Sequence, residues 1–334
     1  MTMPVLRSEM DSGGLEAYVP LEVRELGGNQ SDIPRIAHDP VLMSRVEHAV
    51  QRIRTRHSLY HGDSRSMMLD EKTIHLVVTS PPYWILKEYP DDEDQLGHIA
   101  DYDEFHRKLD EVWQNCYDAL VPGGRLICVV GDVCLSRRKN GGRHVVVPLH
   151  ATIQEHCRAI GFDNVAPIIW HKIANASYEA RGGGAFLGKP YEPNAVIKND
   201  IEYILMFRKP GGYRKPSREA KLLSIISVEN HAKWFQQIWT GVTGESTRRH
   251  PAPYPEELAQ RLVRMFSFVG DTVYDPFMGT GTTNVAAASW GRHSIGCELN
   301  RGYFDMAFKR LQSAGNTLMA NADIYQDKVN GTKK

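Results

Sequence analysis

No apolar run in this chain approaches the ~20 residues that a bilayer-spanning helix needs, so a membrane protein is not expected. The N-terminus, MTMPVLRSEMDSGG, has no hydrophobic core of a secretory leader, which leaves the cytoplasm as the expected compartment. Cysteine is scarce: five residues, at 116, 128, 134, 157 and 297, with no CxxC pair and no regular spacing. A disulfide framework and a metal site both lack their usual signature, and reduced thiols are the simple expectation. Excess charge is absent too, with 40 basic residues against 40 acidic ones. Any nucleic-acid-binding face must therefore come from how charge is distributed. Basic residues gather at Arg137, Arg138, Lys139 and Arg143, across Arg208 to Lys221, and at Arg248 and Arg249. Glu88, Asp91, Asp92, Glu93 and Asp94 form an acidic run. Each cluster taken alone is equally compatible with a solvated loop. Internal repeats and low-complexity tracts are missing, which argues against a solenoid or a disordered array.

What is present is an ordinary globular composition, 42% hydrophobic and 24% charged, in 334 residues, enough for one large domain or two smaller ones. Short apolar runs alternate with helix-like periods. HLVVT (75–79), RLICVVGD (125–132), APIIWHK (166–172), EYILMFRK (202–209), DTVYD (271–275) and HSIGCE (293–298) read as strands. Residues 41–57, 101–120, 148–162, 254–268 and the segment after Gly279 read as helices. Such alternation implies a parallel sheet with helices on its faces. Residues 1–40, rich in Gly, Pro and polar side chains, read as an irregular arm. The stretch 173–249 breaks the rhythm with RGGG and KPGGYRKPS. It reads as a loop-rich insertion that Trp234, Phe235 and Trp239 give something to pack.

Two motifs carry chemistry. Asp275-Pro276-Phe277-Met278-Gly279-Thr280-Gly281-Thr282-Thr283 joins the strand DTVYD to a helix of small residues. Glycines there let the backbone turn sharply and approach a ligand, and the following helix start presents free N–H groups. About twenty residues later Glu298 closes the next strand, where an acid can accept from two ribose hydroxyls. The loop lacks the third glycine of a dinucleotide fingerprint and the Lys of a phosphate-binding loop, so a nucleoside without a pyrophosphate fits better. The second motif, Thr79-Ser80-Pro81-Pro82-Tyr83-Trp84, follows the strand HLVVT. Its paired prolines fix φ and remove two N–H donors, leaving carbonyl acceptors, and the Tyr83 ring could stack on a planar base. Either motif alone is compatible with a plain structural turn; their pairing is not.

At these motifs the chain resembles the amino-group DNA methyltransferases, which carry (D/N/S)-PP-(Y/F) together with a DPF-x-G-x-G-T loop. The order, SPPY first and cofactor loop late, is that of the family's beta group. His61-Gly62-Asp63, Leu120 to Gly124, Ile169 to Lys172 and the segment 250–263 agree with it, so the resemblance spans about residues 55–312. It implies a Rossmann-like class I methyltransferase fold: a mostly parallel, seven-stranded sheet in permuted motif order. The implied parts are an N-terminal arm (1–40), a catalytic half (41–172), a target-recognition region (173–249) with a returning strand near 202–209, a cofactor-binding half (250–315) and a tail (316–334). The implied cofactor is S-adenosyl-L-methionine. Asp275, Gly279 and Gly281 would hold its methionine end, Glu298 its ribose and Asp63 its adenine, with Pro276, Phe277 and Thr282 in the same wall. Ser80 and the Pro81 carbonyl would accept from the target amino group, with Pro82 completing the turn and Tyr83 stacked on a flipped base. Trp84 is as well suited to the core as to that wall. The implied partners are double-stranded DNA with a short recognition sequence, contacted by candidates such as Arg181, Lys189, Arg208, Arg214, Lys215, Arg248 and Arg249, and a second copy of the chain. The implied location is the nucleoid.

Ser80 in place of Asp resembles the cytosine-N4 subgroup, yet the serine form also occurs among adenine-N6 enzymes, so the base stays open. C5-cytosine methylation needs a Pro-Cys nucleophile, and none of the five cysteines follows a proline. Two alternatives stand beside the main reading. A protein-glutamine methyltransferase also uses an xPPY motif, but with its cofactor loop first. A non-catalytic DNA-binding module would leave the glycine loop without a purpose.

Overall fold

A computed structural model describes residues 14–26, 31–86, 94–172, 199–244, 254–317 and 322–329. Much of the acidic run, Arg181, Lys189, Arg248, Arg249 and most of the HPAPYP segment fall outside them. Eleven strands are present among the described residues: β1 (Thr55–His61), β2 (Ile74–Thr79), β3 (Leu120–Val130), β4 (Val133–Leu135), β5 (Val145–Val147), β6 (Asp163–His171), β7 (Ile201–Arg208), β8 (Ile238–Trp239), β9 (Thr272–Asp275), β10 (His293–Glu298) and β11 (Ala322–Lys328). Nine of them form one sheet in the order β11-β1-β10-β9-β2-β3-β7-β6-β8, while β4 and β5 pair as a separate hairpin. Only β7 runs against its neighbours β3 and β6. The class is the one expected from the sequence, widened from seven strands to nine by β11 and β8 at the edges.

The central strands are buried on both faces, which is why they read as continuous apolar runs. In β2, Val77 points into a cluster with Phe105, Trp113 and Tyr274, while Leu76 and Val78 face Leu258, Leu262 and Ala286. Strand β3 alternates likewise, Leu126 and Cys128 on the first side, Ile127 and Val129 on the second. The helix Tyr102–Ala119 seals the first face and the helices Glu256–Phe266 and Thr282–Ser289 seal the second. No helix among the described residues is long and apolar enough to cross a membrane.

Three sequence expectations change. The described part of the N-terminal arm is helical, at Leu21–Glu25 and Asp32–His38, because Val23 and Ile36 find apolar partners in Met43, Val46 and Leu222. Residues 55–57 are the start of β1 rather than the end of a helix that closes at Val50. The tail contributes β11, paired in parallel with β1 from Ala322 to Lys328. The described part of 173–249 contributes β7, where a returning strand is expected near 202–209, and adds β8 at the sheet edge; Trp234 and Trp239 are buried in the second core, whereas Phe235 is exposed.

Candidate active site

The chain order of the strands reverses direction at the β9–β2 boundary: β9 leads on to β10 on one side, β2 to β3 on the other. Open α/β sheets bind ligands at the carboxyl ends of strands at such a switch point. An open cleft lies there, lined at the ends of β1, β2, β9 and β10 by Asp63, Ser80, Pro82, Pro276, Phe277, Gly279 and Glu298, among others. Residues singled out from both motifs thus share one cleft.

Glu298 closes β10 with one carboxylate oxygen accepting from the Gly279 N–H at 2.8 Å and the other from the Asn300 N–H at 2.8 Å. A carboxylate has about four acceptor sites, so acceptor capacity remains for a ligand. Burial raises its pKa to about 7, against the pull of those backbone donors. Gly279 sits at φ 54°, the left-handed turn that brings its N–H back onto Glu298. Asp63 also faces the cleft, but Arg65 occupies much of it: the Arg65 backbone N–H donates at 2.9 Å and its guanidinium at 2.7 Å and 2.6 Å.

Asp275 is not a wall of the cleft. It is 1% exposed and lies beneath the loop, where its two oxygens accept four hydrogen bonds. Thr79 Oγ1 donates at 2.7 Å and Phe277 N–H at 3.0 Å to one; Thr283 Oγ1 donates at 2.7 Å and the Tyr254 hydroxyl at 3.4 Å to the other. With every acceptor site taken, this carboxylate shapes the loop rather than touching a ligand. Burial lifts its pKa to about 6, a rise that these donors limit. The bond from Thr79 matters most, because it ties the end of the strand that presents Ser80 to the start of the glycine loop.

Gly281 and Thr282 face the other way, toward the helix Arg301–Thr317. A Cβ on Gly281 would meet Ala307 Cβ at 3.0 Å, and Thr282 Oγ1 accepts from Arg310 at 3.2 Å. Their glycine and hydroxyl serve helix packing.

Ser80 opens on the cleft and donates from Oγ to the Tyr83 hydroxyl at 3.2 Å. Tyr83 in turn donates toward the Val129 carbonyl at 3.3 Å and Glu202 Oε2 at 3.3 Å. Lys172 Nζ holds the other Glu202 oxygen at 2.8 Å. The Tyr83 ring is only 5% exposed, so it is a packed wall with a working hydroxyl rather than an open stacking platform. Pro81 is buried beside it. Trp84 takes a positive φ of 47° and packs edge-on to Tyr102 at 5.0 Å, so it braces the turn from behind. Glu202, Lys172 and Tyr254 were not singled out as site residues from sequence. Glu202 opens β7 whereas Glu298 closes β10, and only the antiparallel run of β7 beside β3 brings Glu202 to the carboxyl-end edge of the sheet.

Four of the five cysteines are buried. Burial pushes the thiols of Cys116, Cys128, Cys157 and Cys297 well above their ordinary pKa, which disqualifies them as thiolate nucleophiles.

A family model described as DNA methylase matches residues 74–309. The Type II methyltransferase M.MjaI of Methanocaldococcus jannaschii is 37% identical over 278 residues, covering 75% of this chain and 89% of its own length. M.MthZI of Methanothermobacter thermautotrophicus, also a Type II methyltransferase, is 34% identical over 83% of this chain and 82% of its own. Among solved structures, the putative DNA modification methylase TTHA0409 of Thermus thermophilus, in complex with S-adenosyl-L-methionine, is 48% identical, with a TM-score of 0.67 over 83% of this chain and all of that one. The cytosine-N4-specific PvuII DNA methyltransferase shares the fold at 17% identity, with a TM-score of 0.55 over 82% of this chain and 96% of its own.

Proposed function

The chain belongs to the N6/N4 DNA methylase family, and from that premise we propose that it methylates the exocyclic amino nitrogen of a base flipped out of double-stranded DNA. It is a DNA methyltransferase of the beta-group motif order, and its methyl donor is S-adenosyl-L-methionine, the molecule bound by TTHA0409 at 48% identity. The observation that carries the proposal is the single cleft that holds Ser80 at one end and Gly279 with Glu298 at the other, locked together by the Thr79–Asp275 bond.

The residues present fit this cofactor. Glu298 lines the cleft with acceptor capacity left over, suited to ribose hydroxyls. Gly279 gives a close backbone approach, and Pro276 and Phe277 supply an apolar side. Asp63 faces the adenine end, sharing its carboxylate with Arg65. Asp275, Gly281 and Thr282 act one layer back, by fixing the loop. Bound S-adenosyl-L-methionine supplies an electrophilic methyl group on a sulfonium leaving group.

The work of the protein is to make a poor nucleophile reactive. An exocyclic amine shares its lone pair with the ring, and acceptors that hold its two hydrogens favour a tetrahedral nitrogen. Ser80 is prepared as such an acceptor, because its own proton is already given to Tyr83, whose proton goes on to Glu202 or the Val129 carbonyl. The lone pairs of Ser80 are thereby left for the base. The Pro81 carbonyl is the second acceptor, next to a residue with no N–H to compete for it. Extrusion of the base costs a few kcal/mol, and the ordered site repays it through positioning. Adenine N6 and cytosine N4 present the same N–H groups to these acceptors.

Mass spectrometry of nucleosides from DNA treated with the enzyme and cofactor is the direct test. N6-methyladenine or N4-methylcytosine is expected, and the absence of both refutes the proposal. Ser80→Ala should lower the chemical rate by ~100-fold, the scale on which one aligned polar partner acts in a transition state. A short recognition sequence and a homodimer belong to the same proposal, tested by sequencing of methylated sites and by sedimentation.

A further inference from the structure

One basic cluster remains outside the cleft and outside the 173–249 region. Strands β4 and β5 form a hairpin that leaves the sheet directly after Gly131 and Asp132, at the carboxyl end of β3. From Val133 through Gln154 the sequence has no acidic residue, while Arg137, Arg138, Lys139 and Arg143 all fall in the turn between its strands, in a chain whose net charge is zero.

The two ends of the hairpin are fixed to the catalytic wall. Asp132 accepts from His150 Nδ1 at 2.6 Å and from its backbone N–H at 3.3 Å, which clamps the two feet together. The His150 ring stacks on Tyr203 at 3.8 Å and 11°, beside Glu202, which accepts from Tyr83. A Cβ on Gly131 would stand 3.4 Å from the Tyr83 ring. Val133 is fully buried, and β4 packs beside the Trp84–Leu86 turn. The tip is built differently. Gly142 N–H bonds the Arg137 carbonyl at 2.9 Å, Gly141 and Gly142 turn at φ 55° and 81°, and a Cβ on either glycine would meet nothing within 4 Å. Arg138, Arg143 and His144 are exposed. A rigid foot beside the reacting serine thus carries a cationic tip that stands clear of the body.

We propose that this hairpin, residues 133–147, is a phosphate-gripping arm that holds the DNA backbone next to the extruded base. The inference rests on the proposed DNA activity and deepens it by assigning a contact outside the target-recognition region. Charge complementarity selects the occupant: a polyanion answers a basic turn whose run of sequence no acidic residue interrupts. The foot explains why it should act at the target base. Asp132, His150 and Tyr203 couple the arm to the wall that orients Ser80, so the grip is registered to the flipped nucleotide.

The test is the double variant Arg138→Ala/Arg143→Ala, with Arg138→Lys/Arg143→Lys as its conservative partner. Binding of a short mixed-sequence duplex is followed by fluorescence anisotropy between about 50 and 200 mM salt. The alanine variant should bind about tenfold more weakly at the lower salt, and its log–log salt slope should be shallower by about two units, one per lost phosphate contact. The lysine variant should restore most of the slope, and calorimetric affinity for S-adenosyl-L-methionine should not move. An unchanged affinity and slope in an alanine variant that still melts as the wild type does overturns the proposal. So does a change in sedimentation with DNA binding intact, which makes the arm, with exposed Val145 and Val146, a contact between copies of the chain. A wild-type protein that methylates DNA keeps the two readings apart; one that neither binds nor methylates it brings down both.

Discussion

Tyr83→Phe removes one oxygen atom and leaves the ring, which separates the hydroxyl relay from any role of the ring. In the wild type the Ser80 proton is directed at Tyr83 across 3.2 Å, and the Tyr83 proton at Val129 or Glu202 across 3.3 Å. These lengths lie beyond the ~2.5–3.0 Å usual for an O–H···O bond, so each is worth at most ~1 kcal/mol. Losing the first frees the Ser80 hydroxyl to rotate, and in part of its rotor population it offers a proton where the base amine needs an acceptor. A bias of ~1 kcal/mol is a factor of about five, and the slackened Glu202 adds to it, so the chemical step should fall about five- to tenfold. Binding should change little, because neither the cleft nor the arm is touched. The assay is single-turnover transfer of labelled methyl to duplex DNA with enzyme and cofactor in excess. Glu202→Gln supplies the partner arm of a double-mutant cycle, and the two losses should be far from additive because both break one chain of bonds. A Tyr83→Phe rate within twofold of wild type would refute the relay. Losses that multiply independently would refute it as well.

Three further outcomes follow from the same site. Burial holds Glu298 near a pKa of about 7, so cofactor affinity should rise as pH increases through about 7, when the second acceptor oxygen becomes available; Glu298→Gln should flatten that profile in calorimetry. For folding, the raised pKa means the folded state keeps a proton that the unfolded chain has lost, so this carboxyl's contribution to stability falls as pH climbs from 4.5 to about 7. Asp275→Asn puts an amide N–H₂ where two donors already point, and leaving a buried donor unmatched costs about 1–3 kcal/mol. A drop of several degrees in melting temperature together with lost activity is expected, and an unchanged melting curve would remove Asp275 from its place beneath the loop. Gly281→Ala forces a side chain onto φ 82° and against Ala307 at 3.0 Å, so it should destabilise by ~1–3 kcal/mol yet leave cofactor affinity within about twofold. An affinity loss without a stability loss would put Gly281 at the ligand instead.

The parts that sequence made legible are those where one physical demand dominates. Strands β2 and β3 are buried on both faces, so their centres, LVV (76–78) and LICVV (126–130), had to be unbroken apolar runs, and proline or glycine follows each within two residues. Strand β1 hid because its sequence, TRHSLYH, is polar. Thr55, His57 and Ser58 are nonetheless buried, and hydrogen bonds run sideways from the first two: Thr55 Oγ1 lies 2.8 Å from His57 Nε2, His57 Nδ1 lies 2.7 Å from Ser294 Oγ, and Asn284 donates to Ser294 at 2.9 Å. Burial takes the pKa of His57 down to about 3, so the strand holds a neutral imidazole. Periodicity reports hydrophobic burial, not burial by hydrogen bonding, and no local window contains Ser294. The helices of the N-terminal arm and the edge strand β11 were hidden for a similar reason, since their partners lie far along the chain.

The same distinction separates the cleft from its supports. Residues that line the cleft, Ser80, Phe277, Gly279 and Glu298, sit at strand ends within short motifs, where one turn's chemistry declares itself. Supports act across the sheet: Thr79 reaches Asp275 over 196 positions, Tyr83 reaches Glu202 over 119, and Thr283 reaches the Val78 carbonyl over 205. Sheet order makes these contacts possible, because β9 lies between β10 and β2 although the chain reaches it seventh in that sheet. The permuted motif order is therefore no obstacle to catalysis. What the reaction requires is that the strand ends bearing Ser80 and the glycine loop be neighbours, and a single buried carboxylate, Asp275, fastens that adjacency from below.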